Sequence, residues 1–268
     1  MNEKNLEYLE KQILYTGFGE THAPDLKSKI ERGDTDIALF HNQSYGKDEL
    51  VATMHLKKSD NSDMYFFNKY SVALKKEGSE DVMKQTFYLH NKEDSITLKE
   101  AYNLMSGRAI HKERLTKEEE PYKAWLTLNF KETEKDGSYK LHAYHSNYGY
   151  DLKEALGRHV IKEMNDPEHK ERLIASLERG NKQLVTMEIK GQEQKVGIEA
   201  SPRFKSINVY NAAGSRMKAD ELFAQNGQEQ SKTEKQEKKV GQSSKESAGE
   251  EEEGGGEKKQ RRKQQQSL

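Results

Sequence analysis

Three glycines, Gly33, Gly107 and Gly180, divide the chain at nearly equal intervals of 74 and 73 residues. Each glycine ends a run with the apolar spacing of a helix and precedes runs in which apolar and polar residues alternate. A fixed period of this length is typical of chains built from copies of one supersecondary unit. A helix that covers one face of antiparallel strands forms two layers. The sequence therefore predicts an α+β fold of three repeated two-layer units, each a short helix followed by an antiparallel β-meander, with an N-terminal helix and a disordered C-terminal tail.

The boundaries of these units follow from helix-start signals and strand patterns. Thr97 and Glu100 have the spacing of a capping box, and Asp166 followed by Pro167 is a typical helix start. The run from Leu50 to Leu56 is apolar at every second position, which predicts a strand with one buried face. We predict a helix and turn over residues 1–20, repeat units over residues 21–95, 96–165 and 166–217, and a polar tail over residues 218–268.

The predicted tail differs sharply from the rest of the chain in composition. From residue 218 onward Gln, Glu, Lys, Ser and Gly dominate, and almost no large apolar residue occurs apart from Leu222, Phe223 and Val240. Such a segment buries too little apolar surface to offset the entropy lost on ordering, so we expect it to be disordered.

Composition also excludes several classes of function. The absence of cysteine removes disulfides, thiolate chemistry and cysteine-based zinc sites, and it fits a reducing compartment. The charged N-terminus predicts no secretory signal, and no apolar run is long enough for a membrane span, so we expect a cytoplasmic protein without membrane contact. The sequence offers no constellation of catalytic residues, metal ligands or cofactor-binding motif, so we predict no enzyme activity, no metal and no cofactor.

Trp125, the single tryptophan, is a candidate binding residue with two interpretations. Its neighbours Ala124 and Leu126 belong to the predicted buried face, so Trp125 lies on the opposite face with Thr127 and Asn129. If that face is exposed, Trp125 is a candidate anchor for a partner, because aromatic residues dominate interface energetics. If a second layer covers the face, Trp125 is a core residue.

Two further segments interleave or cluster basic residues. Between residues 201 and 217 the candidates are Arg203, Phe204, Lys205, Tyr210 and Arg216. Basic and aromatic residues at such spacing can hold phosphates and stack bases, or they can belong to an edge strand whose charges prevent edge-to-edge association. In the tail the candidates are Lys258, Lys259, Arg261, Arg262 and Lys263, a cluster that either touches nucleic acid or only confers solubility.

Six stretches carry a resemblance to a known group of proteins: YTGFGE, SDMYFFNKY, ITLKEAYNLMSGRAI, YKAWLTLNFKET, NYGYDLKEAL and PRFKSINVY. Together they resemble uncharacterised proteins, with a domain of unknown function, carried on conjugative and mobilisable elements of Bacteroidetes. The stretch from Ile96 to Phe130 is similar to a domain found beside topoisomerase-like and mobilisation proteins of such elements. The resemblance covers most of the chain before the tail. It implies plasmid or transposon biology and brings no site residues with it.

Two functions follow as hypotheses from these features. The first is a non-enzymatic accessory protein of a mobile genetic element that binds nucleic acid or a DNA-processing partner of the same element. The alternative is a general protein–protein adaptor without nucleic-acid contact, which the formal net charge of −1 favours because dedicated nucleic-acid binders are usually basic.

Overall fold

The computed structural model describes residues 2–90, 94–116, 118 and 120–223. Over these residues the chain forms six α-helices and ten strands. The helices are α1 (Glu3–Ile13), α2 (Ala23–Arg32), α3 (Leu98–Met105), α4 (Leu152–Gly157), α5 (Pro167–Glu178) and α6 (Ala219–Leu222). The strands are β1 (Asp36–Tyr45), β2 (Asp48–Lys58), β3 (Tyr65–Lys75), β4 (Val82–Tyr88), β5 (Ile110–Leu115), β6 (Pro121–Thr133), β7 (Tyr139–His145), β8 (Gln183–Ile189), β9 (Gln192–Ser201) and β10 (Ser206–Tyr210).

Three antiparallel sheets contain these strands, each in a meander. The first sheet has the order β1-β2-β3-β4, the second β5-β6-β7 and the third β10-β9-β8. The predicted mixed α+β fold with antiparallel strands is therefore confirmed. In the described residues the ten strands form three sheets and not one continuous sheet.

The three periodic glycines end their helices in the same way. Gly33, Gly107 and Gly180 adopt φ of +79°, +81° and +77°, a left-handed conformation in which a side chain is strained. The N–H of each glycine donates to the carbonyl three residues earlier, and the next N–H donates to the carbonyl five residues before it. This pair of bonds is the Schellman motif. In all three cases the first strand begins three residues after the glycine. The same hydrogen-bond pattern therefore links helix and strand at three places in the chain.

The first sheet covers one large hydrophobic cluster. Along β2 the side chains of Leu50, Ala52, Met54 and Leu56 are buried, as the alternation predicts. Helices α1, α2 and α3 contribute their apolar faces to the same cluster. The opposite face of the first sheet carries exposed residues, including Phe40. This sheet therefore has the predicted buried face and exposed face.

The second sheet is buried on both faces around β6. Ala124, Leu126 and Leu128 belong to the cluster under the first sheet, whereas Trp125 belongs to a second cluster with α4, α5 and the third sheet. The predicted two-layer arrangement is not confirmed for this sheet, because side chains pack against it from two directions. Alternation along a strand identifies two faces but does not reveal what covers the second one.

The third sheet completes the second cluster. The apolar residues of β8, β9 and β10 pack beneath α4 and α5, and a bridge between Ile161 and Met187 extends the edge of β8. Beyond β10, residues 218–223 of the predicted tail form α6 and its end, where the ring of Phe223 stacks on His159 at 5.3 Å. The remainder of the predicted tail lies outside the described residues.

Candidate functional site

The turn between β9 and β10 displays most of the interleaved basic and aromatic residues. Pro202–Phe204 forms one turn of 3-10 helix, and Lys205 closes it with a left-handed φ of 49°. Arg203 and Lys205 are exposed on either side of Phe204, which is half-buried. The turn therefore presents two cations and one aromatic ring outward.

A second turn brings Arg216 to the same ring. After β10, the N–H of Asn211 donates to the carbonyl of Ser215, and a bridge joins Tyr210 to Arg216. The guanidinium carbons of Arg203 and Arg216 lie 5.4 Å and 5.7 Å from the centre of the Phe204 ring. Both distances fall within the range of a cation–π contact.

The end of the second sheet adds aromatic residues that the sequence interpretation missed. The ammonium of Lys205 lies 4.8 Å from the ring of Tyr148, whose hydroxyl donates to the carbonyl oxygen of Arg203 at 2.9 Å. Tyr148 contacts Tyr144 edge-on, and Tyr144 contacts His142 edge-on. The even spacing of His142 and Tyr144 on one strand was the available signal, but nothing local connects them to Lys205.

The cations of this surface have no acidic partner in the described part of the chain. Arg203, Lys205 and Arg216 form no ion pair with any carboxylate of the described residues. By contrast, the nearby Arg158 pairs with Glu154 at 2.7 Å. We call the set Tyr148, Arg203, Phe204, Lys205 and Arg216 the aromatic–basic patch. It combines uncompensated positive charge with exposed ring surface.

Tyr210, the fifth residue of the interleaved segment, makes different contacts. The ammonium of Lys182 lies 3.7 Å from its ring, and its hydroxyl donates to Oε2 of Glu199 at 2.8 Å. Burial, and then the charge of Glu199, raises the pKa of Tyr210 to about 12. Its side chain is therefore held by Lys182 and Glu199 and does not contribute to the aromatic–basic patch.

Trp125 is a core residue. It is 5% exposed and lies in the second hydrophobic cluster. Its ring stacks on His111 at 5.0 Å and meets Tyr150 edge-on at 5.2 Å. The alternative of an exposed anchor therefore does not apply, because the side chain is buried in a cluster with residues of α4, α5 and the third sheet. The tail cluster of Lys258, Lys259, Arg261, Arg262 and Lys263 lies outside the described residues.

Within the described residues, every helix is too short or too polar to cross a membrane. Comparison with protein-family models, curated proteins and solved structures finds no match to this chain.

Proposed function

We propose that this chain is a non-enzymatic accessory protein of a mobile genetic element and that it binds single-stranded nucleic acid through the aromatic–basic patch. The observation that carries this proposal is that three cations without an ion pair among the described residues surround two aromatic rings, Phe204 and Tyr148. Proteins that bind single strands combine such charge, which follows the phosphates, with rings on which bases stack. The resemblance to proteins of conjugative elements supports DNA as the nucleic acid.

The charge of the patch sets the expected salt dependence. Three cations that each neutralise one phosphate give a slope of log K against log salt of about −2 for a single strand. Fluorescence anisotropy with a labelled single-stranded oligonucleotide measures this slope. The variant with Arg203→Gln, Lys205→Gln and Arg216→Gln should bind more weakly and show a slope closer to zero.

A matched control removes the same charge elsewhere. Lys4, Lys27 and Lys170 are exposed and form no ion pair in the described part of the chain. Their simultaneous replacement by Gln should leave the slope close to that of the wild type. Equal losses in the two triple variants, or no salt-dependent binding at high micromolar protein, would refute the proposal.

The aromatic part of the patch has a separate test. Tyr148→Ala removes an exposed ring and should weaken oligonucleotide binding by about 1–3 kcal/mol, the usual contribution of one stacked base. Tyr148→Phe keeps the ring and loses only the hydrogen bond to Arg203, so its affinity should stay close to that of the wild type. The same loss in both variants contradicts base stacking.

A DNA-processing protein or another protein partner is the second candidate ligand. The exposed face of the first sheet favours it, because Phe40, Phe66 and Tyr88 are 70%, 46% and 55% exposed there. Exposed aromatic surface on one face is typical of a protein interface. The adaptor role is supported if the wild type retains a partner that the variant with Phe40→Ser and Phe66→Ser does not retain. Retention by both proteins contradicts it.

We also propose that the three helix–glycine–meander segments arose from one ancestral unit. The shared Schellman hydrogen bonds at Gly33, Gly107 and Gly180 and the common interval to the next strand support this. The first sheet has a fourth strand that the other two sheets lack. Superposition of the segments that follow the three glycines tests the idea, since a common origin requires the same strand order and the same helix placement.

A further inference from the structure

A cleft of about 390 Å³ lies where the three helix–sheet segments meet. The turn between β1 and β2 forms one side, α3 and its end form another, and the residues after α5 form the third. We call it the junction cleft and define it by Tyr45, Lys99, Tyr102, Asn103, Arg108 and Lys182. The junction cleft and the aromatic–basic patch have no residue in common.

Two stacked tyrosines form the wall of the junction cleft. The rings of Tyr45 and Tyr102 are 4.2 Å apart and inclined by 23°. The hydroxyl of Tyr102 donates to Oδ2 of Asp48 at 3.0 Å, and Oδ1 of Asp48 accepts the N–H of Glu77 at 2.9 Å. Both oxygens of this neighbouring carboxylate therefore already have hydrogen-bond partners.

Two cations share these rings. The ammonium of Lys99 lies 4.1 Å from the centre of the Tyr45 ring and 4.7 Å from that of Tyr102. The guanidinium carbon of Arg108 lies 5.1 Å from the Tyr102 ring. Neither cation, nor Lys182, forms an ion pair with a carboxylate in the described part of the chain.

The charge of Arg108 acts on Lys99. Burial, and then this charge, lowers the pKa of Lys99. Like charges disfavour one another, and a bound anion reverses the effect. The chain shows the usual arrangement elsewhere, where the poorly exposed Lys112 pairs with Glu100 at 3.0 Å.

Arg108 is held in place by a buried side chain. Its Nη2 donates to Oδ1 of Asn103 at 2.6 Å, and Asn103 is 0% exposed. The Nδ2 of Asn103 donates to the carbonyl oxygen of Arg179 and to Oδ1 of Asn181. The Nε–H of Arg108 is out of reach of solvent and has no acceptor among the described residues. A guanidinium held in this way loses little side-chain entropy when its remaining N–H groups bind a ligand.

We propose that the junction cleft binds a phosphate group. A guanidinium and an ammonium without a carboxylate partner among the described residues match the charge of a phosphate, and a planar guanidinium can donate two parallel hydrogen bonds to it. Lys182, whose ammonium lies over the ring of Tyr210, also lines the cleft. The source is either free phosphate or a phosphodiester of a nucleic-acid backbone. Because its ligands come from three segments, a bound phosphate would also stabilise their junction.

Titration calorimetry with inorganic phosphate, at constant ionic strength, tests the site. We expect binding by the wild type and a loss of about tenfold or more in affinity in Lys99→Gln, since one charged donor contributes about 1.4 kcal/mol or more. Arg108→Gln should lose at least as much. Lys99 donates no hydrogen bond to a described residue, so Lys99→Gln tests the site even if Arg108→Gln fails to fold. The control is Lys27→Gln, which should keep the affinity of the wild type.

A parallel titration with a short single-stranded oligonucleotide distinguishes the two sources. Dependence on Lys99 with inorganic phosphate supports a site for free phosphate, and dependence on Lys99 only with the oligonucleotide supports a backbone phosphate. Independence from Lys99 with both ligands, or an equal loss in Lys27→Gln, overturns the proposal. The triple variant of the aromatic–basic patch should still bind inorganic phosphate, so failure of the patch and failure of the junction cleft remain distinguishable.

Discussion

Replacement of the three helix-ending glycines by alanine should have unequal effects, and the largest effect should be at Gly180. All three have a left-handed φ, so alanine at each position carries a backbone cost of about 1–2 kcal/mol. Their surroundings differ. Among the described residues, a Cβ on Gly33 meets no atom within 4 Å, and one on Gly107 meets only Phe130 at 3.9 Å.

A Cβ on Gly180 would collide with the second sheet. It would lie 2.8 Å from the carbonyl oxygen of Ala109, 2.8 Å from Cγ2 of Ile110 and 3.1 Å from Cβ of Asn103. The carbonyl belongs to the main chain next to β5 and cannot rotate away as a side chain can. Overpacking of this kind costs about 1–3 kcal/mol. Gly180→Ala should therefore destabilise the protein by about 2–5 kcal/mol, compared with about 1–2 kcal/mol for Gly33→Ala.

Urea unfolding at 25 °C, followed by circular dichroism, gives the free energy of unfolding of each variant. Gly33→Ala and Gly107→Ala measure the shared backbone cost, so the excess at Gly180 isolates the close approach of the end of α5 to the second sheet. If the three variants agree within about 0.5 kcal/mol, the close approach does not contribute and the reasoning is wrong.

Three other predictions concern stability and the core. Asn5→Ala should lower the free energy of unfolding in urea by about 2–4 kcal/mol, because the buried Asn5 amide accepts the N–H of Tyr65 at 2.7 Å and donates to its carbonyl at 3.0 Å. Asn2→Ala removes only the helix cap and should lower it by about 1 kcal/mol. Equal losses in the two variants contradict this account. Trp125 fluorescence should resist acrylamide quenching and stay unchanged on addition of an oligonucleotide, because the ring is buried; efficient quenching in the native state contradicts the core position. Burial lowers the pKa of His41, and then the charge of His22 lowers it further. As the pH falls below about 6.5 the unfolded state therefore binds a proton before the folded state does, so the free energy of unfolding should decrease until the pH reaches the lower pKa of the folded state. His41→Gln should reduce the slope of this decrease by up to about 1.4 kcal/mol per pH unit, and an unchanged slope refutes the prediction.

Local signals in the sequence predicted the elements well. The capping box of Thr97 is present in the structure, and Asp166 caps the helix that begins at Pro167. Both signals depend on residues within one turn of each other, which is why the sequence suffices. The alternation from Leu50 to Leu56 likewise identified the buried face of β2.

Contacts between distant segments were not predictable in this way. Tyr148 reaches Lys205 only because the end of the second sheet meets the turn before β10. Asn103 has the sequence context of an ordinary polar helix residue, yet it is fully buried and bonded to residues that follow α5. Such positions depend on how three sheets pack together, and neither periodicity nor composition records that packing.

Because β6 is buried on both faces, the middle segment of this protein needs contacts from both sides. A fragment covering residues 96–165 would keep α3 and α4 but lose the first sheet, α5 and the third sheet, which contribute to the clusters around Leu126 on one side and Trp125 on the other. We expect such a fragment to aggregate or to remain unfolded when it is expressed alone, despite its self-contained helix and meander. The shared hydrogen bonds at the three helix ends therefore do not make the segments independent pieces, and we expect the middle one to need both of its neighbours for solubility.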